Sequence, residues 1–157
     1  MSARILVALR VAASPARAFA AFTDEIGQWW RPNAMFAFTR GEPGRLSFER
    51  SADGTGRLIE TKADGSVFVI GRITAWEPGE RLAFSWRQAS FGPGQDTQVE
   101  VRFEAVGAET RVSVEHLGWD GVPQEHVARH RFPDAIFLQR HGEWWQAQLT
   151  ALKRRLA

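Results

Sequence analysis

Residues 99–116 read Val99-Glu100-Val101-Arg102-Phe103-Glu104-Ala105-Val106-Gly107-Ala108-Glu109-Thr110-Arg111-Val112-Ser113-Val114-Glu115-His116. Apolar side chains fall on every second position on both sides of Val106-Gly107, the period of a strand with one buried and one wet face. The glycine supplies a turn between them. The stretch is an antiparallel hairpin whose inward set is Val99, Val101, Phe103, Val112, Val114 and, by the same parity, His116. A sheet that buries one face needs another element to cover it.

The reading extends outward in both directions. Arg81 to Arg87 places Leu82, Phe84 and Trp86 on one face, behind a turn at Glu77-Pro78-Gly79-Glu80. Ser66 to Trp76 is a long strand in which Gly71 suggests a bend or bulge. Gly56 to Lys62 and Arg45 to Ser51 precede it, ended by Asp64-Gly65 and Asp53-Gly54, which are hairpin signals. Near the start, Ile5, Val7, Leu9 and Val11 mark a further strand. Ser14-Pro15 then reads as an N-cap with proline in the first helical turn, and a short helix runs through Phe19 and Phe22. Thr23-Asp24-Glu25 is read as the cap of a second short helix reaching Trp29 and Trp30, closed by Pro32.

Downstream, Gln124 to Arg131 reads as a short helix and Asp134 to Leu156 as a long one. In the latter, Trp145, Leu149, Leu152 and Leu156 stand at i, i+4, i+7 and i+11, one helical face. This helix is the element long enough to cover the sheet. A curved sheet around one helix is expected to enclose a pocket of about 300 Å3 or more, the lower range of ligand sites.

Composition agrees with a globular α+β chain. Of 157 residues, 44% are hydrophobic and 24% charged, which excludes a disordered chain. There is no Cys, so disulfides, thiolate metal sites and cysteine nucleophiles are excluded, and no Tyr. The 7 Trp and 11 Phe are the main store of apolar bulk. A net charge of +2 gives no basic patch, and the run Lys153-Arg154-Arg155 suits a helix C-terminus better than a nucleic-acid surface. No apolar run reaches the ~18 residues of a membrane span. Met1 to Ala13 is interrupted by Arg4 and Arg10, so it reads as mature protein, and a cytoplasmic location is expected. Gly54-Thr55-Gly56 lies in a hairpin, which excludes a phosphate loop; Gly-x-Ser-x-Gly and a paired-carboxylate dyad are absent.

Several pieces, taken in order, resemble a known family: Ala13-Ser14-Pro15-Ala16-Arg17-Ala18-Phe19, Trp29-Trp30-Arg31-Pro32, Gly71-Arg72-Ile73 through Pro78, Arg81-Leu82-Ala83-Phe84-Ser85-Trp86, Thr110 through His116-Leu117-Gly118-Trp119, and the Trp145-Leu149-Leu152-Leu156 stripe. They resemble the START-like, or SRPBCC, superfamily with its helix-grip fold. Within it they resemble the family named after the C-terminal domain of the heat-shock-protein-90 ATPase activator. The resemblance implies one domain over residues 1–157, with a seven-stranded curved antiparallel sheet around the C-terminal helix and two short helices after the first strand. The superfamily includes lipid carriers, hormone receptors and cyclases. The co-chaperone that names the family has a separate N-terminal domain making much of its chaperone contact. These 157 residues hold no counterpart, so chaperone modulation ranks behind binding of a small apolar or amphipathic molecule.

The residues expected to line that cavity are Phe48, Phe84, Trp86, Val101, Phe103, Val114 and His116 from the sheet, with Trp30 from the short helices. Phe137, His141 and Trp145 are expected from the last helix. His116 by strand parity and His141, four residues before Trp145, would form a polar spot of two neutral imidazoles orienting a ligand. An alternative is a cyclase or dehydratase using His116 as acid or base. Arg50 shares the Leu46/Phe48 face but lies near a strand end, where solvent is the expected environment. His126 and His130, at i and i+4, have helical metal-ligand spacing without a third ligand. No metal, cofactor or dedicated catalytic residue is expected.

Overall fold

The structure, a computed structural model, describes residues 4–33, 37–52, 55–92, 95–119, 122 and 134–157. The elements run β1 (Ile5–Val11), α1 (Pro15–Asp24), α2 (Ile26–Trp29), β2 (Arg45–Arg50), β3 (Gly56–Thr61), β4 (Val67–Glu77), β5 (Arg81–Trp86), β6 (Thr97–Val106), β7 (Glu109–Leu117) and α3 (Asp134–Arg155). The seven strands form one antiparallel sheet in the order β1-β7-β6-β5-β4-β3-β2, a meander closed on one side by the first strand. This is the α+β architecture expected. The expected helix over 124–131, with His126 and His130, lies outside the described residues.

Alternation decides the faces. Leu82, Phe84 and Trp86 on β5, Val99, Val101 and Phe103 on β6, and Val112, Val114 and His116 on β7 are all buried. Their neighbours Arg102 and Arg111 are exposed. α3 covers this inner face and turns Phe137, His141, Trp145, Leu149 and Leu152 inward, each with no exposed surface. The spacing of that set keeps it on one side of the helix.

Local chemistry fixes the element ends. Ser14 caps α1 through a bond from Arg17 N to its Oγ at 3.2 Å, with Pro15 in the first turn. The expected second cap is not formed. Thr23 lies inside α1, where its hydroxyl donates to the Phe19 carbonyl at 2.8 Å, and Glu25 makes no side-chain cap. Glu25 is claimed instead by two arginines, Arg17 at 2.5 Å and Arg155 at 2.8 Å, which tie α1 to the end of α3. Gly71 marks a bulge: β3 and β4 shift register between Leu58 and Ile59, and a Cβ on Gly71 would stand 1.6 Å from the Ser85 carbonyl oxygen. Only glycine admits that approach of backbone to backbone.

Candidate functional site

The inner face carries a polar network centred on His116. His116 is fully buried, and its Nδ1 receives the indole N–H of Trp145 at 3.1 Å. An indole N–H only donates, so Nδ1 holds a lone pair and the ring proton sits on Nε2. Nε2 then donates to Thr97 Oγ1 at 2.8 Å, and the Thr97 hydroxyl donates to the Trp86 carbonyl at 2.9 Å. His141 Nε2 stands 3.3 Å from the same Nδ1, a longer second approach to one lone pair. Burial, and after it the nearby His141, hold His116 well below the ordinary imidazole pKa. Protonating Nδ1 would also set a new N–H against the indole N–H. His116 is therefore neutral at pH 7, in a fixed tautomer.

Rings enclose this network. The Trp86 ring lies 4.6 Å from Phe38, 5.3 Å from His116, 5.5 Å from Trp144 and 5.6 Å from Trp145, centroid to centroid. His141 is stacked between Phe137 at 5.6 Å and Trp144 at 4.8 Å. The volume expected as a pocket over Phe84, Trp86, Val101 and Val114 is thus occupied, among the described residues, by aromatic side chains. The reason is bulk: indoles from β5, from Trp30 just after α2 and from α3 converge on one point. The polar spot of His116 and His141 forms as the parity argument required, but the two imidazoles meet each other and Trp145 rather than an open cleft. Arg50 is exposed, its guanidinium 4.5 Å over the Trp76 ring.

Open space begins at the mouth of the grip. A cleft of about 290 Å3 is lined by Trp30, Phe38, Leu46, Glu60 and Trp144, with Pro32, Asn33, Ala37, Gly41, Pro43 and Gly44 around its rim. Of the eleven residues expected to bind, Trp30 lines it. The other ten, Phe48, Phe84, Trp86, Val101, Phe103, Val114, His116, Phe137, His141 and Trp145, are not among its walls. The wall is held by Gln148 of α3, which accepts from Arg31 N at 2.9 Å and donates to the Arg31 carbonyl at 2.6 Å. Glu60, 3% exposed, accepts from the Thr39 hydroxyl at 2.6 Å and from Gly44 N at 3.1 Å.

Sequence reading did not single out Thr97, Gln148 or Glu60. Thr97 and Glu60 share inward parity with Val99 and Leu58, and Gln148 lies seven residues after His141. A polar residue at an inward position was the available signal.

This order of strands, with two short helices after the first and a long one at the end, is matched by a family of known proteins. The model of that family, described as Activator of Hsp90 ATPase homolog 1-like protein, matches residues 12–157. The chain belongs to this family. Among solved structures, this member of the Hsp90 ATPase activator-like family is similar to protein CV1439 from Chromobacterium violaceum, at 21% identity and TM-score 0.60, covering 98% of this chain and 96% of that one. It is also similar to an HSP90 activator from Plasmodium falciparum, at 17% identity and TM-score 0.61, covering 98% and 95%. An anthrahydroquino-gamma-pyrone synthase is 27% identical, with TM-score 0.54, covering 96% and 95%. A comparison with curated proteins gave no match. Among the described residues, no helix is long and apolar enough to cross a membrane.

Proposed function

We propose that this family member binds a small amphipathic molecule in the cleft at the mouth of the grip. The observation that carries the reading is the cleft itself: aromatic and aliphatic walls of Trp30, Phe38, Leu46 and Trp144 around the carboxylate of Glu60. Such sites combine an apolar body with few polar groups that orient the ligand. At about 290 Å3 it suits a small molecule or one end of a larger one. Native mass spectrometry of freshly purified protein tests this, beside an Ala37→Trp variant. Ala37 is exposed and lines the cleft, so the indole fills the space with little cost to the core. A co-purified molecule lost from the variant is the expected result. The same molecule retained at equal occupancy would place binding elsewhere.

A second reading is favoured by the 27% identity to an anthrahydroquino-gamma-pyrone synthase: an enzyme of the cyclase or dehydratase type with His116 as acid or base. His116 has no exposed surface, so a substrate would have to displace the rings around it. Turnover lost in His116→Ala with ligand affinity retained would favour the enzyme; a change in affinity alone favours the carrier. A third, modulation of a chaperone, rests on the family match and predicts partner binding insensitive to Ala37→Trp.

A further inference from the structure

Glu60 is a buried carboxylate that, among the described residues, touches no cation. Among the described residues it makes no ion pair, and its hydrogen bonds come from two neutral donors, Thr39 Oγ1 and Gly44 N. A carboxylate offers about four lone-pair positions, so two bonds leave it half satisfied. Removing a charge from water without a paired cation is costly. Lys62 is the nearest cation in the network, but it stands behind Thr39. Its Nζ donates to Thr39 Oγ1 at 2.8 Å and to the carbonyls of Arg40 and Glu42 at 3.0 and 2.5 Å. Among the described residues, neither Lys62 nor any other lysine or arginine lines the cleft. The charge presented to the cleft is therefore negative.

The remaining walls add to that preference. Trp30 and Trp144 pack edge to face at 5.3 Å, and Phe38 lies 6.1 Å from Trp30. Ring faces attract a cation held within about 6 Å of them, more strongly when it is desolvated. We propose that the cleft recognises the ammonium group of an amphipathic amine, its N–H donating to Glu60 and its adjoining methylenes lying on Trp30, Phe38 and Trp144. This rests on the cleft being a ligand site, and it names the chemistry of the end that enters.

Three probes of equal chain length separate the two claims: n-hexylamine, n-hexanol and n-hexanoate at pH 7, titrated against tryptophan fluorescence with Ala37→Trp as the blocked control. Hexylammonium should bind about tenfold or more tighter than hexanol, the scale of one charge-assisted bond, with hexanoate weakest. Glu60→Gln should remove the preference and leave hexanol unchanged. If Glu60→Gln does not fold, the ratio measured on the unaltered protein decides alone. Equal affinity for all three probes would overturn the ammonium inference and leave the cleft as an unselective apolar site. Binding of none, or binding undiminished in Ala37→Trp, would overturn both.

Discussion

Trp145 Nε1 donates to His116 Nδ1 across 3.1 Å, and this bond joins the last helix to β7, the strand beside the β1 edge of the sheet. It also determines where the imidazole proton resides, because the indole cannot accept. The Trp145 to His116 to Thr97 to Trp86 chain is then a directed series of donors ending on a backbone carbonyl. A buried series of this kind leaves His116 little freedom to take up a proton.

The first prediction concerns pH. The folded pKa of His116 is lowered, whereas the unfolded imidazole titrates near ~6.5. Below that value the unfolded chain binds a proton that the folded chain refuses. Stability is therefore full above about pH 6.5 and falls as pH drops toward the lowered folded pKa. Urea unfolding from pH 8 to pH 5 should show this loss. The slope should shrink in His116→Gln. Nitrogen-15 spectra should show an Nε2-protonated ring at neutral pH.

Trp145→Phe keeps most of the ring and deletes the donor. The Nδ1 lone pair would then lack its best partner, at a cost of about 1–3 kcal/mol. The same change should raise the pKa of His116, since a proton on Nδ1 would no longer face an N–H. Chemical denaturation and histidine titration read the two effects separately. A folded variant with an unmoved His116 pKa would contradict the assigned tautomer.

Leu149 sits on the same helical face with no exposed surface. Leu149→Ala should cost about 2–5 kcal/mol, through lost burial plus the cavity left behind. A loss below about 1 kcal/mol in urea unfolding would mean that the core collapses readily around α3.

Gly71→Ala should be more damaging than its single methyl suggests. The added Cβ would meet the Ser85 carbonyl at 1.6 Å, and backbone on both strands must move to relieve it. A cost of about 3 kcal/mol or more is expected, at the upper end for overpacking. Gly65→Ala serves as the comparison: it meets nothing within 4 Å and carries only the strain of its φ of 88°. Gly71 has no positive φ, so similar losses in both would show that the two strands move apart around the added methyl at little cost.

The elements were legible because each rests on a local rule. Period-two alternation in 99–116 fixed the inward faces of β6 and β7, and helical spacing from Trp145 put His141 on the covering face of α3. The second cap does not form although Thr23 and Asp24 suit a cap by type. The outcome turned on Arg155, 130 residues away, reaching Glu25.

The sequence by itself determined the strands, the covering helix, and the inward parity of His116, Thr97 and Glu60, since a side chain's face depends only on its position along a regular backbone. Tertiary structure alone decided which of those inward groups meet protein and which meet open space. Trp30, Trp86 and the pair Trp144-Trp145 come from three separated segments, and their summed volume fills the centre of the grip. Filling depends on how rings from distant elements interlock, which no local spacing encodes. The cleft is accordingly displaced to the mouth, where Phe38, Leu46 and Glu60 converge from the segment before β2, from β2 and from β3.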